Sequence, residues 1–221
     1  MELYKHESGL YLRKGSYDTY TIKEIIKSYS WMPVNKKRVL DIGGCFGGYS
    51  KYALDNGASE VWTFEPEPRN YFTTCKNLQK YIDDKKCHVY NYAVVLNDPR
   101  HEIPFYISFN GKSFGSFSTT RYRGRKEIQV KTMNLSKIFE NFKPEVLKID
   151  CEGQEHDLLQ RNLPECVKYF TMEIHLTKPT WKESGIQIIK QFDDWECVKQ
   201  PKFVYKTGKP VLFTTIGAWK R

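Results

Sequence analysis

No apolar run in this chain of 221 residues approaches the roughly 18–20 needed to cross a bilayer, so a membrane-spanning protein is not expected. The opening residues, MELYKHESGLYLRKGS, hold no apolar core of the signal-peptide kind. No two of the six cysteines (Cys45, Cys75, Cys87, Cys151, Cys166, Cys197) form a CxxC pair, which removes the usual spacing for structural zinc or a redox dithiol. They read as reduced thiols of a cytoplasmic protein. Internal repeats, low-complexity tracts and a recognisable linker are missing too. What remains is a globular chain long enough to bury a substantial core.

What is present is charge and aromatic surface. The formal net charge is +9, with 15 Tyr and 13 Phe. An excess of that size admits anionic partners such as nucleic acid or a charged sugar, although Lys-rich surfaces are common.

Residues 1–15 predict a short hairpin around Glu7-Ser8-Gly9, and 16–29 have helical spacing. Residues 1–30 are therefore expected to form an N-terminal extension that could cap a substrate, ahead of a main domain over 31–221. RVLDIG, EVWTFEP, CHVYNYAVV, EVLKIDCEG and KYFTMEIHL read as core strands. Between them GGYSKYALDNG, RNYFTTCKNLQKYI, about 154–161 and GIQIIKQF read as helices. HEIPFYISF and KEIQVKTMNL read as further strands around a Gly/Ser-rich loop, and the end reads as an antiparallel hairpin. Strands alternating with helices predict an α/β fold with a mostly parallel sheet covered on both faces.

VLDIGGCFGG, residues 39–48, places Gly43, Gly44, Gly47 and Gly48 after the first of these strands. The dinucleotide pattern G-x-G-x-x-G fails because Cys45 stands where its second glycine belongs. The phosphate-binding pattern fails because Tyr49 stands where its lysine belongs. Glu65 ends the second strand some twenty residues on, where a carboxylate accepts both ribose hydroxyls. Ribose contact beside a close backbone turn, without a pyrophosphate cradle, suits S-adenosylmethionine. Its amino-acid tail would lie near Gly43, Gly44 and Gly47, with Asp41 holding the ammonium directly or through water. Its adenosine would lie toward the second and third strands, where Ala93 stands.

The stretches VLDIGGCFGGYS, VWTFEPEPRNY, NYAVV, VLKIDCEGQEHDLL and TMEIH make the chain similar to the FkbM family of S-adenosylmethionine-dependent methyltransferases. The resemblance covers about residues 39–176. It implies a seven-stranded class I methyltransferase sheet with its last strand antiparallel. It also implies O-methylation of a sugar, glycolipid or polyketide-like product. TMNLSK, 132–137, departs from the family's Leu-Asp pair, so no role is carried onto Asn134.

Methyl transfer needs an aligned acceptor oxygen and a group to take its proton. Asp150 and His175 both stand at strand ends, where open α/β sheets place their ligands. Either could be the base. Lys148 interrupts an apolar strand and needs a partner. Glu173 on the neighbouring strand is expected to be that partner, with the pair either structural or orienting substrate. Glu155 is expected to organise the loop it begins. Asp150, Glu173 and His175 could hold Mg²⁺, but no spacing demands it and no metal is assigned. Arg121, Tyr122 and Arg123, in the long basic loop, are expected to touch an acceptor glycan, including an anionic one. Two other readings stay open. One is an RNA 2′-O-methyltransferase, favoured by the basic charge and RYRGRK at 121–126; the other is a non-catalytic module that binds a glycan or a partner.

Overall fold

Val39–Ile42, Val61–Phe64 and Val146–Ile149 point apolar residues to both sides, as strands covered on both faces must, while Phe170, Met172 and Ile174 point theirs to one side. The computed structural model describes residues 2–16, 18–96, 98–108, 125–159, 162–175, 179–199 and 214–221. Its elements begin with β1 (Leu3–Lys5), β2 (Tyr11–Arg13), α1 (Asp18–Tyr29), β3 (Arg38–Ile42), α2 (Gly48–Asp55) and β4 (Glu60–Phe64). There follow α3 (Pro68–Asp83), β5 (Cys87–Tyr90), β6 (Ala93–Val95), β7 (Glu102–Ser108), β8 (Arg125–Asn134) and α4 (Leu135–Phe142). The chain continues through β9 (Val146–Ile149), α5 (Glu155–Leu158), β10 (Tyr169–His175), α6 (Pro179–Lys190), β11 (Glu196–Lys199) and β12 (Thr214–Lys220).

The main sheet has seven strands in the order β11-β12-β10-β9-β3-β4-β5. Its five central and edge strands from β10 to β5 run parallel. β12 is antiparallel to both its neighbours. This is the α/β architecture expected, terminal antiparallel pair included. One face packs Leu12, Ile25, Tyr29, Val39, Tyr49, Val61, Leu78 and Val146 under α1, α2 and α3. The other packs Leu40, Phe64, Ile138, Phe142, Leu147, Leu158, Phe170 and Ile188 under α4, α5 and α6. The N-terminal hairpin and α1 share the first of these cores rather than standing apart from it.

Three details differ from expectation. Residues 87–95 are two strands, not one. Asn91 donates its side-chain amide to the carbonyls of Glu65 and Pro66 and turns the chain out of the main sheet. β6 then joins a second sheet of order β6-β8-β7, which has its own small core of Ala93, Val95, Ile103, Phe105 and Val130. α5 is one turn long and stops at Leu158, well short of 161. α4 was not anticipated, although Leu135, Ile138 and Phe142 are buried at helical spacing.

Candidate functional site

β3 lies beside β9, and the chain winds outward from β3 before returning to β9. The crevice outside their carboxyl ends is the switch point where such sheets take ligands. A cleft of about 410 Å³ opens there. That falls in the range of about 300–1,000 Å³ typical of cofactor sites.

The glycine loop answers first to its own chain. Gly43 has φ +88°, and a Cβ there would stand 1.7 Å from the Asp150 carbonyl oxygen. Asp150 is fixed at that spot because its N–H donates to the Ile42 carbonyl at 3.0 Å. Gly43 and Cys45 line the cleft. Gly44 and Gly47, expected at the cofactor, do not line it. A Cβ on Gly44 would meet Thr63 Cγ2 at 2.4 Å, and Gly47 turns the chain into α2 against Thr74 and Leu78.

Glu65 does line the cleft, at the carboxyl end of β4, and is 4 % exposed. Its Oε2 accepts the Cys45 N–H at 2.7 Å and its Oε1 accepts the Glu67 N–H at 2.8 Å. Each oxygen keeps lone-pair capacity for one further donor, which fits a pair of ribose hydroxyls. Burial pushes this carboxyl up to about 8, against the two N–H donors. Phe64, Tyr92, Ala93, Val94 and Phe105 supply apolar wall beside it. This apolar wall beside a buried carboxylate is shaped to take an adenosine.

Lys148 does not make its expected contact with Glu173. It lies opposite Asp41 in the parallel β3–β9 register, so both side chains share one face. Its Nζ is 3.2 Å from Asp41 Oδ1 and 3.6 Å from Asp150 Oδ2, and it donates to the Gly43 carbonyl at 2.7 Å. Across β10 its register neighbour is Thr171, and Glu173 lies two positions further along. Burial disfavours the Lys148 charge, but Asp41 and Asp150 outweigh it and raise the pKa. Asp41 is wholly buried, takes a hydrogen bond from Ser50 at 2.7 Å, and does not line the cleft. Its carboxylate therefore stands behind the loop, facing Lys148 and Ser50 rather than opening directly onto the cleft. Lys148→Met should cost about 3 kcal/mol, since it strands a buried carboxylate. Adding Asp41→Asn should return most of that loss in urea denaturation. A double variant no more stable than the single one would contradict the pairing.

Around β10 the chain gathers carboxylates on His175. Glu155, fully buried, accepts from the His175 backbone N–H at 2.7 Å and the Gly153 N–H at 2.8 Å, and lies 2.9 Å from His175 Nδ1. It thereby ties the loop to the strand. His175 Nε2 lies 3.2 Å from Glu152 Oε2 and 3.9 Å from Glu173 Oε1. Burial disfavours the charged ring, but Glu155 and then Glu152 hold it protonated, well above the ordinary histidine value. A protonated ring has no lone pair to accept a proton. Glu152, in place of Glu173, joins Asp150 and His175 in a group whose ligand atoms all lie within 4.8 Å of one another.

Two contributors were invisible in the sequence. Thr21 and Glu24 of α1 also line the cleft, and nothing in their local pattern marks them. Burial, then the charge of Asp150, pushes the Glu24 carboxyl up. Tyr92 and Phe105 are further lining residues, and the first could have been taken from its neighbour Ala93. Arg121, Tyr122 and Arg123 lie outside the described residues.

The family model described as the methyltransferase FkbM domain matches residues 41–200. Among solved structures, a methyltransferase FkbM from Methylobacillus flagellatus KT is similar at a TM-score of 0.51 and 15 % identity. The match covers 86 % of this chain but 45 % of that one, so this chain spans less than half of that protein's length. The C-terminal domain of precorrin-6Y C5,15-methyltransferase from Rhodobacter capsulatus is similar at a TM-score of 0.50 and 11 % identity, over 97 % and 96 % of the two chains. Identities this low carry the fold alone. No curated protein matches the chain by sequence. Among the described residues, no helix is long and apolar enough to cross a membrane.

Proposed function

This chain belongs to the FkbM family of methyltransferase domains, and on that premise we propose that it methylates a hydroxyl of a sugar, a glycan or a glycosylated natural product. The methyl donor is S-adenosylmethionine, which supplies an electrophilic methyl group on a sulfonium. Glu65 would hold the ribose, and the main chain at Gly43 and Cys45 would pass close to the amino-acid tail.

The observation that carries the acceptor reading is the other end of the cleft. Glu24, Asp150, Glu152 and Glu173 all line it. Carboxylates accept hydrogen bonds from hydroxyls and repel phosphates, so this wall favours a polyhydroxy acceptor over an RNA backbone. It also favours a neutral or cationic acceptor over an anionic one. Asp150, whose side chain is 27 % exposed, would take the hydroxyl proton as the methyl arrives. An intact ribose carboxylate and an open acidic wall speak for an enzyme over a silent binding module.

The test is transfer of labelled methyl groups into cell glycans and into cell RNA, side by side. Label in glycans, released as methylated sugars, is expected; label confined to ribose 2′-oxygens would overturn the acceptor. The cofactor end has its own check. Glu65→Ala removes an acceptor for two hydroxyls and should weaken S-adenosylmethionine binding by about 1–3 kcal/mol. Calorimetry reads this directly, and unchanged affinity in a folded variant would remove Glu65 from the ribose site.

A further inference from the structure

We propose that Asp150, Glu152 and His175 Nε2 form a site for a divalent cation at the acceptor end of the cleft. The three come from different places: the end of β9, the turn after it, and the end of β10. They converge so that one ligand atom from each lies within 4.8 Å of the others, with Nε2 and Glu152 Oε2 at 3.2 Å. Ligands bound at about 2.1–2.4 Å stand ~3.0–3.4 Å apart when adjacent and ~4.2–4.8 Å apart when opposite. The spacing is thus already that of a coordination shell.

The imidazole is also set up as a ligand. Its Nδ1 is held at 2.9 Å by Glu155, a carboxylate itself pinned by the Gly153 and His175 N–H groups. A carboxylate on one ring nitrogen is the usual way a ligating histidine is oriented so that the other nitrogen faces the ion. On binding, the cation takes the place of the proton on Nε2, while Nδ1–H stays with Glu155.

Charge points the same way. Glu24 and Glu173 stand on the same wall, in a chain whose net charge is +9. The buried lysine behind them, Lys148, is engaged with Asp41, the Gly43 carbonyl and, at 3.6 Å, Asp150 Oδ2. The Asp150 and Glu152 side chains are each 27 % exposed, so the shell would stay open on the cleft side for an acceptor oxygen or water. Two carboxylates and one imidazole form a mixed oxygen and nitrogen set open to first-row divalent cations, of which paramagnetic Mn²⁺ is the probe used below. The assignment deepens the acceptor reading: its use in methyl transfer rests on that reading, while cation binding does not.

The experiment titrates Mn²⁺ into the full chain after chelator treatment, without cofactor or acceptor, and follows free Mn²⁺ by electron paramagnetic resonance. One site per chain is expected. Glu152→Gln and Asp150→Asn should each weaken it at least tenfold, with melting curves showing both variants folded. Glu24→Gln, a wall carboxylate outside the trio, should change affinity less than threefold. Absence of binding below millimolar Mn²⁺ overturns the site. So does equal weakening by Glu24→Gln and Glu152→Gln, which would mean diffuse attraction only. Glycan methylation that survives such a failure would leave the acceptor reading standing; a bound cation without glycan methylation would do the reverse.

Discussion

Replacing Gly43 by alanine is expected to cost about 4–5 kcal/mol of folding stability or more, at the extreme of single substitutions. Two costs combine. The backbone sits at φ +88°, where a side chain is strained, and the new Cβ would fall 1.7 Å from the Asp150 carbonyl oxygen. That oxygen cannot retreat easily, because the Asp150 N–H is tied to β3 at the Ile42 carbonyl. Gly15→Ala is the internal control. It has φ +72° but nothing within 4 Å of its Cβ, so only the conformational cost applies, about 1 kcal/mol. Urea denaturation of the two variants separates the terms, and equal losses would mean that the contact with Asp150 is not decisive.

Asp150→Asn is expected to lower turnover by about 10²–10⁴-fold while cofactor affinity stays within a few-fold. The main-chain contacts of this residue survive the change, so the glycine loop keeps its shape. What is lost is a carboxylate able to accept a proton at the acceptor end. Steady-state turnover and calorimetry measure the two halves, and turnover within fivefold of the parent would take Asp150 out of the chemistry. Comparison with Glu152→Gln sharpens the result. A residue that only ligates a cation should be rescued by raising Mn²⁺, whereas loss of the base should not.

The order of elements was legible because apolar runs of strand length alternate with runs of helical spacing. Glu65's place at the cleft was legible because the end of the second strand stands at a fixed offset from the glycine loop. The partner of Lys148 was not. Strand register decides it, and Asp41 and Lys148, far apart in the chain, meet only because β9 docks beside β3. The break at Asn91-Tyr92 was hidden for another reason: Ala93–Val95 prolong the apolar run of β5, and the turn is made by a side-chain amide reaching back to β4's end. His175 was recognised, but the sequence could not show that Glu152 and Glu155 fold back onto it from the turn after β9.

One wall of the cleft belongs to α1, residues Asp18–Tyr29, while the family match begins at residue 41. Thr21 and Glu24 therefore line the cleft from a segment that the family match does not reach. Relatives that agree throughout the matched region can still differ in what they methylate. Sorting them by acceptor would require aligning their N-terminal helices, with the identity at the position of Glu24 read as the discriminating character.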